Sequence, residues 1–139
     1  MVDVNYFAVL VAAVVSIGIG FLWYAPAVLG KPWMKEKGYS SESLKKEQKE
    51  MGKFYAVSFG LAIIMAYALA HVMFLSQNFY DYPMLSTGVM SGFFMWFGFV
   101  MPVQLTNQIF GKKNWTLFGI DTWYQLVSLL VMGVVIDIL

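Results

Sequence analysis

The chain alternates long apolar stretches with short polar ones, and the apolar stretches are too long for a soluble fold. Four of them, Tyr6 to Leu29, Phe54 to Tyr80, Tyr82 to Gly111 and Asn114 to Ile136, carry at most one Asp, Glu, Lys or Arg each. A helix needs roughly 20 residues to cross a bilayer core about 30 Å thick, and each stretch exceeds that. The pattern predicts an all-α integral membrane protein with a single membrane domain over 1–139. Its four transmembrane helices, at about 6–29, 54–78, 84–109 and 115–137, would form an antiparallel bundle of two helix hairpins, with a polar loop over 30–53.

That loop has helical signals of its own. Ser40 reads as an N-cap, Glu42 would face the positive end of the helix dipole, and Glu42 with Lys46 has a favourable i,i+4 order. A short helix from about Ser41 to Met51 follows. Only Leu44 and Met51 share an apolar face, so it is expected to be an amphipathic or solvated connector.

Lipid gives helices no hydrophobic reason to associate, so small residues and hydrogen bonds must hold them together. Ala8, Ala12, Ser16 and Gly20 recur every four residues in the first span, as do Ser58, Ala62, Ala66 and Ala70 in the second. These ridges predict a close crossing of the first two spans through Ala12, Ser16, Gly20, Ala62 and Ala66. Gly88 and Gly92 form a small-residue pair in the third span, facing a neighbouring helix or a second subunit. Pro102, inside that span, deprives the Gly98 carbonyl of its usual donor, so a polar neighbour is expected there. The runs Gly20-Phe21-Leu22-Trp23 and Gly92-Phe93-Phe94-Met95-Trp96 hint at a degraded repeat of two hairpins.

Composition agrees with the pattern: 60% of residues are hydrophobic, 12% are charged, and the mean hydropathy is +0.67. Four spans use nearly the whole chain and leave little for a soluble catalytic domain. A net charge of +1 gives no nucleic-acid signal, and the absence of Cys rules out disulfides and thiolate chemistry. The apolar start is followed by Pro26, Gly30, Lys31 and Pro32 rather than a small-residue cleavage site, and is expected to be part of the mature protein.

All nine basic residues are Lys, seven between the first two spans and Lys112 and Lys113 between the last two. The positive-inside rule places both Lys-bearing loops in the cytoplasm, and the termini and the short turn near Asp81 outside. Tyr6, Tyr80 and Tyr82 are expected at the outer surface, and Trp23, Tyr24, Trp33, Tyr55 and Trp115 at the inner one, as interfacial anchors.

Asp121 is the one ionisable residue well inside a span, which makes it a functional candidate by default. Reflecting the third and fourth helices about Lys112 and Lys113 sets Asp121 level with Gln104, and Gly98 level with Val127. A cluster of Gln104, Asn107, Gln108, Asp121, Tyr124 and Gln125 is then expected. It reads either as a structural tie, with Asp121 accepting from the amides, or as a cytoplasm-facing pocket for a small polar ligand or ion. His71 lacks ligand partners at suitable spacing and reads as an interfacial hydrogen-bonding residue. Neither a metal site, nor a cofactor, nor a nucleophile–base pair is indicated, so an enzyme is not expected.

The run Leu22-Trp23-Tyr24-Ala25-Pro26 with Gly30-Lys31-Pro32-Trp33-Met34 resembles the bacterial membrane family catalogued as domain of unknown function 1761. So do Gly98-Phe99-Val100-Met101-Pro102 with Asn107, and the Asp121 to Tyr124 run with Leu126, Val127, Ser128 to Met132 and Gly133. The resemblance covers almost the full chain and implies a small four-span protein of the bacterial cytoplasmic membrane, without a known activity. Two functional expectations follow. One is a non-enzymatic bundle that self-associates or accompanies a larger membrane complex; the other is a small transporter or channel built around Asp121.

Overall fold

In the computed structural model, residues 2–80, 86–111 and 113–139 are described, and every element among them is helical. The helices are α1 (Tyr6–Trp23), α2 (Lys31–Lys37), α3 (Ser41–Tyr80), α4 (Ser86–Met95), α5 (Met101–Phe110) and α6 (Trp115–Ile138), with π-helical turns at Pro26–Gly30 and Trp96–Val100. Four helical stretches are long and apolar enough to cross a membrane: Tyr6–Trp23, Lys49–Tyr80, Ser86–Phe110 and Trp115–Ile138. The expected turn at Asp81, with Tyr82, and Lys112 lie outside the described residues.

Two boundaries differ from the expectation. The first long helix stops at Trp23, short of Leu29, because the residue before a proline is driven to extended geometry. Ala25, before Pro26, has ψ 142°. Conversely, the connector expected over Ser41 to Met51 does not end. It runs into the second span as one helix of 40 residues, Ser41–Tyr80. Ser40 does cap it, accepting from the Ser43 N–H at 3.2 Å while its own N–H donates to Ser43 Oγ at 2.8 Å. No proline lies between Ser41 and Tyr80, and Gly52 alone costs only about 1 kcal/mol, too little to break a helix held elsewhere by packing.

The last helix is the hub: α6 packs against each of α1 to α5. Its contacts with α1 run in opposite sequence directions. The Asn5 side-chain amide donates to the Leu139 carbonyl at 3.2 Å, Ser16 and Ser128 share a 2.6 Å hydrogen bond, and Tyr24 reaches Asp121. Asn5 and Asn114 have parallel roles at opposite ends. Each caps its helix with Oδ1, accepting from Ala8 and Leu117 at 3.2 Å, and each ties a second segment with Nδ2. Asn114 uses that donor on Glu36 at 2.9 Å, which joins the two Lys-bearing connections.

The small-residue ridges are buried at Ala8, Ala12, Ser16, Ala62, Ala66 and Ala70, with Gly20 half-buried and Ser58 exposed, and they are divided between two partners. Ala12, Ala62 and Ala66 are in the core, and stacked Tyr6–Tyr67 and Phe21–Tyr55 pairs fix the α1–α3 register. Ser16 and Gly20, expected against the second span, face α6 instead. Ser16 bonds Ser128, and the Tyr124 hydroxyl fills the space a Gly20 side chain would need. The reason is geometric: a four-residue step overshoots a full turn by about 40°, so the ridge winds around α1 from one neighbour to the other.

Gly88 and Gly92 pack inside the chain. A Cβ on Gly88 would collide with the Gly133 backbone, one on Gly133 with Gly88, and one on Gly92 would lie 2.7 Å from the Leu129 carbonyl oxygen. The first turn of α4 is further held by Asp137, which accepts from the Gly88 N–H at 2.7 Å. Closeness of this kind leaves no room for a methyl group. Gly133→Ala is therefore expected to lower stability by roughly 1 to 3 kcal/mol through overpacking, whereas Gly18→Ala, with nothing near its Cβ position, should be neutral or slightly stabilising. Thermal unfolding of the two variants in detergent checks the contrast, and equal losses would show that α4 and α6 do not need their backbone contact.

Candidate functional site

The site is assembled by the break after α1. Pro26 opens a π-helical turn that the Gly30 N–H closes onto the Ala25 carbonyl at 2.9 Å. A Cβ at Gly30 would strike the backbone of Tyr24 and Ala25, so this position requires glycine. The chain passes directly into α2, which ends at Gly38 in the left-handed region, φ 72°, where glycine carries no Cβ penalty. The effect of this fold-back is to set Tyr24 and Trp33 edge to face, 5.5 Å apart, although nine positions separate them.

Both side chains donate to one oxygen. The Tyr24 hydroxyl lies 2.6 Å, and the Trp33 indole N–H 3.2 Å, from Asp121 Oδ1. The flanking residues of α6 repeat the theme through their backbone. The Trp23 indole N–H donates to the Ile120 carbonyl at 3.0 Å, and Trp96 donates to the Thr122 carbonyl at 2.9 Å. Three consecutive residues of α6 thus accept from three tryptophans that belong to three different elements. Tyr124, one turn on, packs its ring edge-on against Tyr24 at 5.3 Å and donates to the Ser16 carbonyl at 3.3 Å.

Asp121 accepts from Tyr24 and Trp33, not from the amides expected as its donors. Among the described residues no hydrogen bond joins it to Gln104, Asn107 or Gln108. Those three nonetheless line one cavity of about 240 Å³ together with Asp121, Thr122, Leu117, Phe118 and Lys37. Near the loop, then, the hairpin brings the expected partners together. Beyond the π-helical turn the reflection fails: Gly92 meets Leu129 and Trp96 meets Thr122, so Gly98 is not beside Val127. The extra residue of the π turn at Trp96–Val100, closed by the Met101 N–H on the Trp96 carbonyl, contributes to that shift.

Of the six residues in the expected cluster, four share the cavity; Tyr124 belongs to the α1 side and Gln125 lines no part of it. Three buried polar atoms there have no partner in the protein: Gln104 Oε1, Gln108 Nε2 and Thr122 Oγ1. Such groups are costly unless water or a ligand meets them. His71 places Nδ1 2.9 Å from the Tyr67 carbonyl and its ring against Tyr67, a local contact within α3.

Sequence reasoning missed Trp23, Tyr24 and Trp33 as site residues by assigning them to the interfacial belt. The available signal was their polar handle, since an indole N–H or phenol that leaves water needs an acceptor, and Asp121 is the strongest one in the spans.

The chain belongs to the family described as protein of unknown function DUF1761, whose profile matches residues 7–137. No curated protein and no solved structure matches it. Of the runs that carried the resemblance, those around Trp23 and Tyr24, Trp33 and Asp121 meet here.

Asp121→Asn keeps an oxygen for both donors and is expected to retain the fold. Asp121→Leu strands the Tyr24 hydroxyl and the Trp33 N–H, and should cost roughly 1 to 3 kcal/mol. Tryptophan fluorescence during thermal unfolding reads the difference directly. Equal stability of the two variants would show that the carboxylate is not what holds the site together.

Proposed function

We propose that this protein is a non-enzymatic, multi-pass protein of the bacterial cytoplasmic membrane, an antiparallel four-span bundle that self-associates or serves as an accessory subunit of a larger membrane complex. The observation that carries this reading is the use made of Asp121: the one carboxylate deep in the spans is engaged in tying α1 and α2 to α6. A carboxyl group so employed supports a role as an internal fastener between helices.

The topology draws on the same contacts. Four crossings bring the termini to one side, in keeping with the bond between Asn5 and Leu139, and both Lys-bearing connections to the other, in keeping with the bond between Asn114 and Glu36. The lysine bias assigns the second side to the cytoplasm. Self-association is supported by the outer face of α3, where Gly52, Ala56 and Gly60 recur every four residues, all exposed, with open space in front of both glycines. A small-xxx-small face not used inside the chain suits close approach by another helix in lipid.

A second reading, a small transporter or channel, rests on the unpartnered Gln104, Gln108 and Thr122 atoms beside Asp121. In that reading Asp121→Asn leaves a folded protein that no longer exchanges ions in proteoliposomes. Under the primary reading, wild type and variant behave alike in that assay.

Two measurements test the proposal. The chain has no cysteine of its own, so Asp3→Cys and Lys45→Cys can each be probed in intact cells with an impermeant thiol reagent. Only Asp3→Cys should be labelled, and the reverse pattern would overturn the orientation. For association, Gly60→Leu should reduce the cross-linked dimer in membranes by about tenfold or more, as expected for loss of a close glycine contact, with helix content unchanged. Undiminished cross-linking would remove that face of α3 from the interface.

A further inference from the structure

A second cavity, of about 590 Å³, lies between the end of α1, α2 and the N-terminal half of α3. It shares no lining residue with the amide cavity. Its walls are aromatic. Phe21 and Tyr55 stack with centroids 4.7 Å apart on the α1–α3 side, Trp33 and Tyr39 lie 5.7 Å apart on the α2 side, and Phe54 adds a further ring. Into this cavity comes one carboxylate, Glu47, and no lysine lines it. Among the described residues Glu47 has neither an ion pair nor a side-chain hydrogen bond. That is notable in a segment rich in lysine, since Lys45, Lys46 and Lys49 surround it in sequence.

Aromatic rings attract cations through the negative potential of their faces, and a carboxylate at the same cavity supplies the balancing charge. Trp33 already attracts one cation in this structure: the Lys37 ammonium stands 5.3 Å from its ring centroid. A primary ammonium is strongly hydrated and keeps its contact with water. A cation clothed in carbon gives up far less hydration and gains more from the surrounding rings. We propose that this cavity is a binding site for a free hydrophobic organic cation, a quaternary ammonium carrying an alkyl or aryl group, with Glu47 as counter-charge and Trp33, Tyr39 and Tyr55 as its cage. This goes beyond the role proposed for the bundle and does not depend on it.

Binding of benzyltrimethylammonium to the purified protein in phosphatidylglycerol nanodiscs, followed by tryptophan fluorescence, tests the assignment. Saturable binding is expected, with the uncharged carbon analogue neopentylbenzene failing to compete at the same concentration. Glu47→Gln should weaken binding by roughly tenfold and Tyr39→Leu by roughly fivefold, the scale of one desolvated charge contact and one ring. Both positions lie outside the Asp121 contacts, so unchanged helix content and elution volume confirm that each variant is folded. Equal binding of the neutral analogue, an unaltered affinity in folded Glu47→Gln, or no saturable binding would each overturn the proposal. So would loss of the signal when phosphatidylcholine is added to the nanodiscs, which would assign the cavity to a lipid headgroup.

Discussion

The fold depends on finding acceptors for the N–H and O–H groups that four helices apolar enough to cross a membrane take out of solvent, a requirement that lipid sharpens and water relaxes. The answer here is concentrated in one place, residues 120 to 122 of α6. A helical carbonyl has a second lone pair beyond its intrahelical bond, and Ile120 and Thr122 spend theirs on Trp23 and Trp96. Asp121, between them, offers one side-chain oxygen to both Tyr24 and Trp33. Each bond is worth only about 1 kcal/mol. They are placed on rigid rings arriving from three directions, so together they define how α1, α2 and the third span sit on α6. The two runs that resemble each other in sequence each deliver their tryptophan, Trp23 or Trp96, to this stretch.

The rest of the packing follows the same economy. Where polar bonds are few, backbones come together through glycine, as at Gly88 and Gly133, or through small residues, as at Ala12 and Ser16. The large side chains left outside, among them Phe7, Leu22, Phe79 and Phe94, are exposed in the isolated chain. On a water-soluble protein such a surface would be an aggregation hazard; against hydrocarbon it is the expected finish.

The four apolar stretches, the cap at Ser40 and the place of Asp121 as a hydrogen-bond acceptor within the last of them could all be read from residue order, because each depends on local chemistry or on the length of a stretch. The partners of Asp121 could not. Pairing by reflection about a loop works only while both helices stay regular, and it holds from Gln108 to Gln104 but is lost past the π-helical turn. The small-residue ridge of α1 was legible as a ridge, yet its winding gives Ser16 and Gly20 to α6 rather than α3. Tyr24 and Trp33 were hidden for a different reason. An aromatic near a membrane boundary has a sufficient explanation as an anchor, and only the fold-back at Pro26 and Gly30 shows that these two turn inward.

That fold-back also gives Trp33 three simultaneous engagements. Its N–H is committed to Asp121, its ring stands under the Lys37 ammonium, and the same ring walls the aromatic cavity. A side chain used in this way cannot answer one contact without disturbing the others. Anything that displaced the ring toward the cavity would lengthen a bond to Asp121 already at 3.2 Å and leave more of the load on Tyr24 at 2.6 Å. Asp121 in turn borders the amide cavity, where Gln104, Gln108 and Thr122 hold unpartnered atoms. The two cavities share no lining residue, but they are one hydrogen bond apart through Trp33 and Asp121. Coupling between sites requires a physical element that both can bias, and the Trp33–Asp121 and Tyr24–Asp121 bonds each join a wall of the aromatic cavity to a wall of the amide cavity. The stiffness that makes the cluster a good fastener is therefore also what would let either cavity report on the other.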